Sequence, residues 1–234
     1  MVKYTTFLTT LMMTIFSAAA ASGQSNDVYI EQVGDALGLV INQAGNSNNV
    51  GGIDDDFTLQ GDNMQVNIDQ TGDSNSIDGQ IVKADGVVAN IEMIGNANQF
   101  DVNMGTTGDV TDSTVDVTVT GDINVVDLTT GPDNSAIGAD VDITITGSEN
   151  QMASVIDSDT AVLNATVDGD LNTINTTQEG WSDNSITMTL SGSDNQIDIL
   201  QSNDMQSSVI DLDSTMSGGT IEINQTSTGF GVQP

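Results

Sequence analysis

One turn recurs along this chain at near-constant spacing, and it limits the possible folds more than any other feature. Gly-x-x-Asn stands at Gly72 to Asn75, Gly95 to Asn98, Gly121 to Asn124, Gly147 to Asn150, Gly169 to Asn172 and Gly192 to Asn195. Successive glycines lie 23, 26, 26, 22 and 23 residues apart. Before each glycine apolar and polar residues alternate, as in Val115-x-Val117-x-Val119 and Val141-x-Ile143-x-Ile145. After each asparagine they alternate again, as in Phe100-x-Val102 and Ile197-x-Ile199. Period two on both flanks of a fixed glycine reads as strand, tight turn, strand.

In an 18-residue frame the repeats run 64–81, 87–104, 113–130, 139–156, 161–178 and 184–201, with a worn copy near 208–225. The linkers between them carry turn residues, as in Lys83-Ala-Asp-Gly86 and Asp157-Ser-Asp-Thr160. A single strand–turn–strand arch cannot bury its own inward residues, but a stack of arches can. The expectation is an all-β β-solenoid of about 8 rows of 22–26 residues, with two parallel sheets facing across a thin core. Inward positions are then the odd ones up to the glycine and the even ones from the asparagine onward. Asn75, Asn98, Asn124, Asn150, Asn172 and Asn195 fall in one inward ladder of stacked amides. The turn glycines are expected because a left-handed or strained backbone is cheap only without Cβ. Inward methionines (Met93, Met104, Met152, Met188) read as gap fillers.

The N-terminal stretch admits two registers. One frame, 26–43, places Val28, Ile30, Gln32, Gly34, Leu39, Ile41 and Gln43, with Leu37 where asparagine belongs; the other uses Gly45-Asn46-Ser47-Asn48 as the turn. Residues 49–63, with Asp54-Asp-Asp56, read as an irregular row or loop. By domain, 22–63 is an irregular lead, 64–201 the regular array and 202–234 a degenerate last repeat and tail.

Composition removes whole classes of chemistry. The 234 residues hold 34 Asp and Glu against 2 Lys and Arg, with no His and no Cys. Imidazole and thiolate catalysis, imidazole and thiolate metal sites and disulfides are all excluded. A net charge of −32 excludes a phosphate-neutralising nucleic-acid binder. Acidic pairs could be read as a glycosidase acid and base, but nothing builds a cleft around them. The expectation is a non-catalytic chain with no cofactor and no confident metal site.

Lys3, the mostly apolar run Phe7 to Phe16 and the small residues Ala18 to Ala21 read as a secretory signal peptide, residues 1–21. No run is long enough to span a bilayer, so no membrane insertion is expected. Cleavage after Ala21 leaves Lys83 as the only side-chain cation. The expected destination is extracellular, where a cysteine-free chain draws its stability from something other than disulfides.

The frame Ser-x-apolar-x-apolar-x-Gln-x-Gly-x-x-Asn-x-apolar-x-apolar-x-Gln resembles the repeat of the curlin family, the subunits of curli fibres. Glycine and asparagine match at all six sites; Ser113 and Ser208 match the opening serine, with Asn26 and Asn184 as polar stand-ins. In the 26–43 register the first glutamine is met by Gln32 and Gln70 and the last by Gln43, Gln178 and Gln201. Met93, Val119, Ile145, Val167 and Leu190 replace the first glutamine, which marks a divergent member. The resemblance covers about residues 26–225. It implies a functional-amyloid subunit that passes an outer-membrane export pore, is seeded by a nucleator subunit, and self-assembles into adhesive biofilm fibres.

The charge is expected to regulate assembly. Carboxylates stacked one strand apart repel by about 1 kcal/mol in water and ~3 at intermediate dielectric, so acid or millimolar calcium should favour growth. Three other readings stand beside this one. Asp-rich turns (Asp54 to Asp56, Asp109 to Asp112, Asp122, Asp168 to Asp170) offer oxygen ligands for calcium. Outward Thr118, Thr144, Thr166 and Thr189, with Thr120 and Thr146 beside two of them, weakly resemble the threonine face of ice-binding solenoids. The third is a monomeric surface adhesin. Trp181 reads as a cover over an arch edge.

Overall fold

The computed structural model describes residues 12–17, 27, 30–36, 38–51, 57–95, 97–105, 110–121, 123–131, 136–147, 149–169, 171–180, 183–192, 194–203, 208–216 and 218–227. Their regular structure is strand throughout, in two sheets whose pairings are all parallel. The nine-stranded sheet runs Met12–Ser17, Gly38–Ala44, Gln65–Thr71, Val88–Ile94, Thr114–Thr120, Asp140–Thr146, Val162–Asp168, Ser185–Gly192 and Val209–Met216. The eleven-stranded sheet holds Glu31–Val33, Phe57–Asp62, Ile77–Asp85, Phe100–Met104, Val110–Thr111, Val126–Thr130, Ala136–Ile137, Met152–Asp159, Ile174–Gly180, Ile197–Asn203 and Ile221–Ser227. The chain alternates between the sheets row by row, two rows giving the second sheet two short strands each, so the fold is a β-solenoid.

Register is kept because a one-residue slip would turn every apolar side chain outward. Val115 pairs with Val141, Val117 with Ile143 and Val119 with Ile145, while Val126 pairs with Met152. These inward residues are buried along the length of the stack. The fit is local as well as periodic. A Cβ on Gly79 would come within 2.6 Å of the Phe57 ring, so the glycine in one row makes room for the aromatic in the row before. Three inward hydroxyls, on Thr130, Ser154 and Thr176, are buried without a hydrogen-bond partner.

The linkers differ from their turn-rich reading. Ile77–Asp85 and Met152–Asp159 run as strand through most of theirs, and the bend is compressed into single residues. Ala36 (φ 56), Asn63 (φ 54), Gly86 (φ 64), Asp112 (φ 47), Gly138 (φ 69), Thr160 (φ 58) and Asp183 (φ 52) form one left-handed corner repeated from row to row. Corner amides continue the axial hydrogen bonding, with Asn63 N–H donating to Asp85 O at 2.7 Å and Gly86 N–H to Thr111 O at 2.8 Å. Two rows take up extra length inside the second strand instead: Val110–Thr111 and Ala136–Ile137 resume pairing beyond residues 106–109 and 132–135.

At the N-terminal end the structure adopts the second register. Leu39, Ile41 and Gln43 pair with Val66, Ile68 and Gln70, which makes Gly45 to Asn48 the turn of that row. The 26–43 frame is therefore corrected: Gln43 holds the first-glutamine position. Glu31–Val33 lies in the other sheet, where Gln32 pairs with Leu59 at the last position of the frame. The physical reason is burial. This register keeps Leu39, Ile41, Val50, Phe57 and Leu59 inside together. Met12–Ser17, within the segment read as a leader, pairs in register with Gly38–Ala44. The rest of residues 1–21, Asp54 to Asp56 and Trp181 lie outside the described residues.

Candidate functional site: the ladders and the open last row

Asparagine and glycine are interlocked along the axis. Asn75 Nδ2 donates to Asn48 Oδ1 at 2.6 Å, Asn98 to Asn75 at 2.6 Å, Asn124 to Asn98 at 2.7 Å, Asn150 to Asn124 at 2.7 Å and Asn172 to Asn150 at 2.6 Å. Asn195 donates in turn to Asn172, so Asn48 joins the six sequence-derived asparagines in one continuous ladder. All are buried. Asn124, Asn150 and Asn172 also donate to the carbonyls of Gly121, Gly147 and Gly169 in their own turns, at 3.1, 3.1 and 3.2 Å. In a dry interior such amides stabilise by satisfying one another, and an orphaned one is costly.

The glycines are explained by close approach between rows. A Cβ on Gly95, Gly121, Gly147, Gly169 or Gly192 would lie 1.4–1.9 Å from the carbonyl oxygen of the preceding row's turn glycine. On Gly72 it would lie 1.4 Å from Gly45 O. Gly72, Gly95 and Gly121 sit at φ 146, 159 and 158, whereas Gly147, Gly169 and Gly192 show no such φ and meet the same obstruction. The expected backbone requirement holds at Gly72, Gly95 and Gly121, and a steric one is added at all six: the turns nest only when none carries a side chain.

The glutamines occupy two separate places. Gln43 Nε2 donates to Gln70 Oε1 at 2.7 Å and also to Asn49 O. Gln70 Nε2 donates to Ser76 O at 3.0 Å and lies 3.6 Å from Met93 Sδ. This pair closes the turn end of the arch. Gln178, Gln201 and Gln225 stack in register at the opposite end. There Gln178 Nε2 donates to Ala161 O at 3.0 Å and Gln225 Nε2 to Ser208 O at 3.0 Å. Gln201 is buried with neither amide atom partnered. Gln32 and Gln43 thus exchange the positions that the 26–43 frame gave them, Gln43 standing with Gln70 in the first sheet and Gln32 in the second, with Gln178 and Gln201. Between the ends, Met93, Val119, Ile145, Val167 and Leu190 continue the Gln70 column in the apolar core.

The last row repeats the pattern with no covering strand among the described residues. Ile210 and Leu212 stand opposite Ile186 and Met188, and Ile221, Ile223 and Gln225 opposite Ile197, Ile199 and Gln201. Ile197 and Ile199 are fully or almost fully buried, yet Ile221 is 45% and Ile223 46% exposed. Val209–Met216 and Ile221–Ser227 each end their sheet, with no further strand among the described residues. The turn is also altered, Met216 taking the glycine position and Gly219 (φ 85) the asparagine position.

The outer faces hold the charge. In-register acid pairs occur at Asp69 with Glu92, Asp116 with Asp142, Asp157 with Glu179 and Asp198 with Glu222, and as the triplet Asp78, Asp101 and Asp127. Elsewhere amides intervene: Asn42 donates to Asp69, and Asn164 Nδ2 to Asp142 at 2.7 Å. Partial burial, then the nearby Asp142 and Asp116, push the Asp140 carboxyl above its ordinary 3.8. Thr118, Thr144, Thr166 and Thr189 form one exposed in-register column. Among the described residues no three acidic side chains gather as a metal cage. Of the Asp-rich turns, Asp112 and Asp168 are exposed and Asp109, Asp122 and Asp170 lie outside the described residues.

Two features escaped the sequence reading, Gln225 in the glutamine column and the left-handed corners, while Asn48 in the ladder followed from only one of the two N-terminal registers. The corners had a signal, since each falls one residue before a frame begins. No family model matches the chain, and no curated protein or solved structure matches it.

Proposed function

We propose that this chain is a secreted, non-catalytic, curlin-like subunit that self-assembles by row stacking into extracellular fibres, the partner being further copies of itself. One observation carries this reading: Ile221 and Ile223 on the last strand of the second sheet are about half exposed at positions buried in the preceding row, and among the described residues no strand follows Val209–Met216 or Ile221–Ser227. Solenoids that stay monomeric cap such ends, and an uncovered edge is a template for pairing. Covering both isoleucines would contribute about 2 kcal/mol, in addition to the new backbone bonds. On this reading export, a nucleator and adhesion follow from the resemblance, and the 1–21 leader supplies the route.

The test is growth. Chain diluted from denaturant should give thioflavin-positive fibres with a strand repeat near that of stacked rows, accelerated by preformed seeds. Growth should be faster at pH 4.5 than at pH 7.5, and faster with millimolar calcium, because the stacked acids repel less when protonated or screened. Ile223→Asp should lengthen the lag several-fold while leaving the unfolding of the buried rows unchanged. A stable β-rich monomer at both pH values, indifferent to seeds, would sink the proposal.

The in-register threonine column favours a second reading, a monomeric solenoid that binds a surface such as ice. An ice-growth assay on the monomer tests it, and unaltered crystal growth rejects it.

A further inference from the structure

The two ends of the stack are closed to different degrees. Leu39, Ile41 and Gln43 of Gly38–Ala44 stand in the three inward columns that finish at Ile210, Leu212 and Ser214 of Val209–Met216. The first three are 2%, 0% and 2% exposed, whereas Val209–Met216 has no buried residue. One strand makes the difference. Met12–Ser17 pairs with Gly38–Ala44 in unbroken parallel register, Met13 opposite Leu39, Ile15 opposite Ile41 and Ser17 opposite Gln43. Those positions run apolar, apolar, polar, as their partners do, so a stretch of the leader fits the frame of the rows. Among the described residues no strand stands beyond Val209–Met216.

The cover stops at the turn. On each later rung the asparagine amide reaches back to the row before, as Asn75 does to Asn48 at 2.6 Å. Asn48 itself is 3% exposed, and among the described residues its Nδ2 has no partner. Counted on from Ser17 in the same register, the sequence positions that Gly45 and Asn48 hold in the next row fall to Ala19 and Ser22. The sequence before the first regular row thus supplies neither the glycine that lets one turn nest on another nor an asparagine to answer Asn48. Gly38–Ala44 and its turn carry the full set needed to receive a row, and Met12–Ser17 covers the strand without supplying that set.

We infer that Met12–Ser17 is a temporary cap: joined to the chain it covers Leu39 and Ile41 and holds back assembly, and its loss with the rest of residues 1–21 uncovers a row built to be stacked upon. This rests on the self-assembly reading and adds its regulation. Covering a strand edge removes the template it offers for pairing. A side chain at the turn-glycine position would meet the carbonyl of any row placed before it, as at all six later turns, so the leader strand does not pass the stacking on. Growth then waits for removal of the leader.

Full-length chain tests this in three forms: unsubstituted, Met13→Asp with Ile15→Asp, and Thr14→Asp with Phe16→Asp. The second form sets charge opposite Leu39 and Ile41, and the third sets the same charge opposite Val40 and Asn42, the other face of a period-two strand. Hydrogen exchange at pH 7.5 should quicken in Gly38–Ala44 for the second form alone, with Thr114–Thr120 protected in all three. Thioflavin growth at pH 4.5 should begin after a several-fold shorter lag in the second form alone, although added charge by itself would slow both variants. Equal lags in the unsubstituted chain and the second form, a shorter lag in both variants, or unchanged exchange in Gly38–Ala44 would overturn the cap and leave the assembly reading intact. Fibres from none of the three, seeds included, would overturn both.

Discussion

Asn124 donates its side-chain amide to Asn98 Oδ1 at 2.7 Å and to the Gly121 carbonyl at 3.1 Å, binding one row to the last and the turn to itself with a single group. Asn150 repeats the arrangement on Asn124. Asn124→Ala removes a donor from Asn98 and an acceptor from Asn150, both in the dry core. A destabilisation of about 3 kcal/mol is expected, read as a lowered denaturant midpoint. Asn103→Ala, at an exposed outward position, should change stability by less than about 0.5 kcal/mol. Equal effects at the two sites would mean that the ladder contributes nothing.

Gly121→Ala should be worse than the loss of any one amide. Its Cβ would stand 1.4 Å from Gly95 O and 2.5 Å from Asn98 Oδ1, with backbone on the near side and no room to retreat. The expected cost is about 3 kcal/mol or more. Gly38→Ala is the control, because nothing lies within 4 Å of a Cβ there. Thermal unfolding of the two variants separates close approach from a general intolerance of alanine.

The corner at Thr160 carries a β-branched residue at φ 58, where two equivalent corners use Gly86 and Gly138. Thr160→Gly should raise stability by about 1 kcal/mol, since an L-residue in the left-handed region costs about that much or more. A fall in the melting temperature would show that the Thr160 side chain makes a contact worth more than the backbone relief.

Thr176 is buried with its hydroxyl unpartnered. Thr176→Val keeps the shape and removes the desolvated group, and a gain of about 1 kcal/mol is expected. Denaturant titration checks it; a loss would mean that the hydroxyl is satisfied within the stack.

Asp140 gives a sign for pH. Its carboxyl binds protons more readily folded than unfolded, so ionisation costs stability as pH rises above the ordinary 3.8 toward the raised folded value. That cost is fully present above the folded value and vanishes below the unfolded one. Asp140→Asn should therefore stabilise at pH 7 and make no difference near pH 3. An equal gain at both pH values would mean that burial of the side chain, rather than its charge, sets the penalty.

Much of this molecule is legible in the chain itself. Strict alternation around Gly72, Gly95, Gly121, Gly147, Gly169 and Gly192 dictates arches, and arches of one length can bury their inward residues only by stacking. The sheet pairing, the inward set and the central asparagine ladder follow from periodicity, because a period of two leaves each side chain a choice between only two faces. The N-terminal register did not follow. Gly34 and Gly45 both offer a turn, and the choice falls to Phe57 and Leu59, which lie beyond an insertion that periodicity cannot cross. Tertiary structure alone decided three further points: that the turn glycines are required by a neighbouring carbonyl, that seven different rows bend through one left-handed residue, and that among the described residues no strand covers the last row. Each depends on distances between rows some 22–27 residues apart in the chain. Local pattern specifies which face a residue takes, and only the stacked neighbour determines how close that face may come.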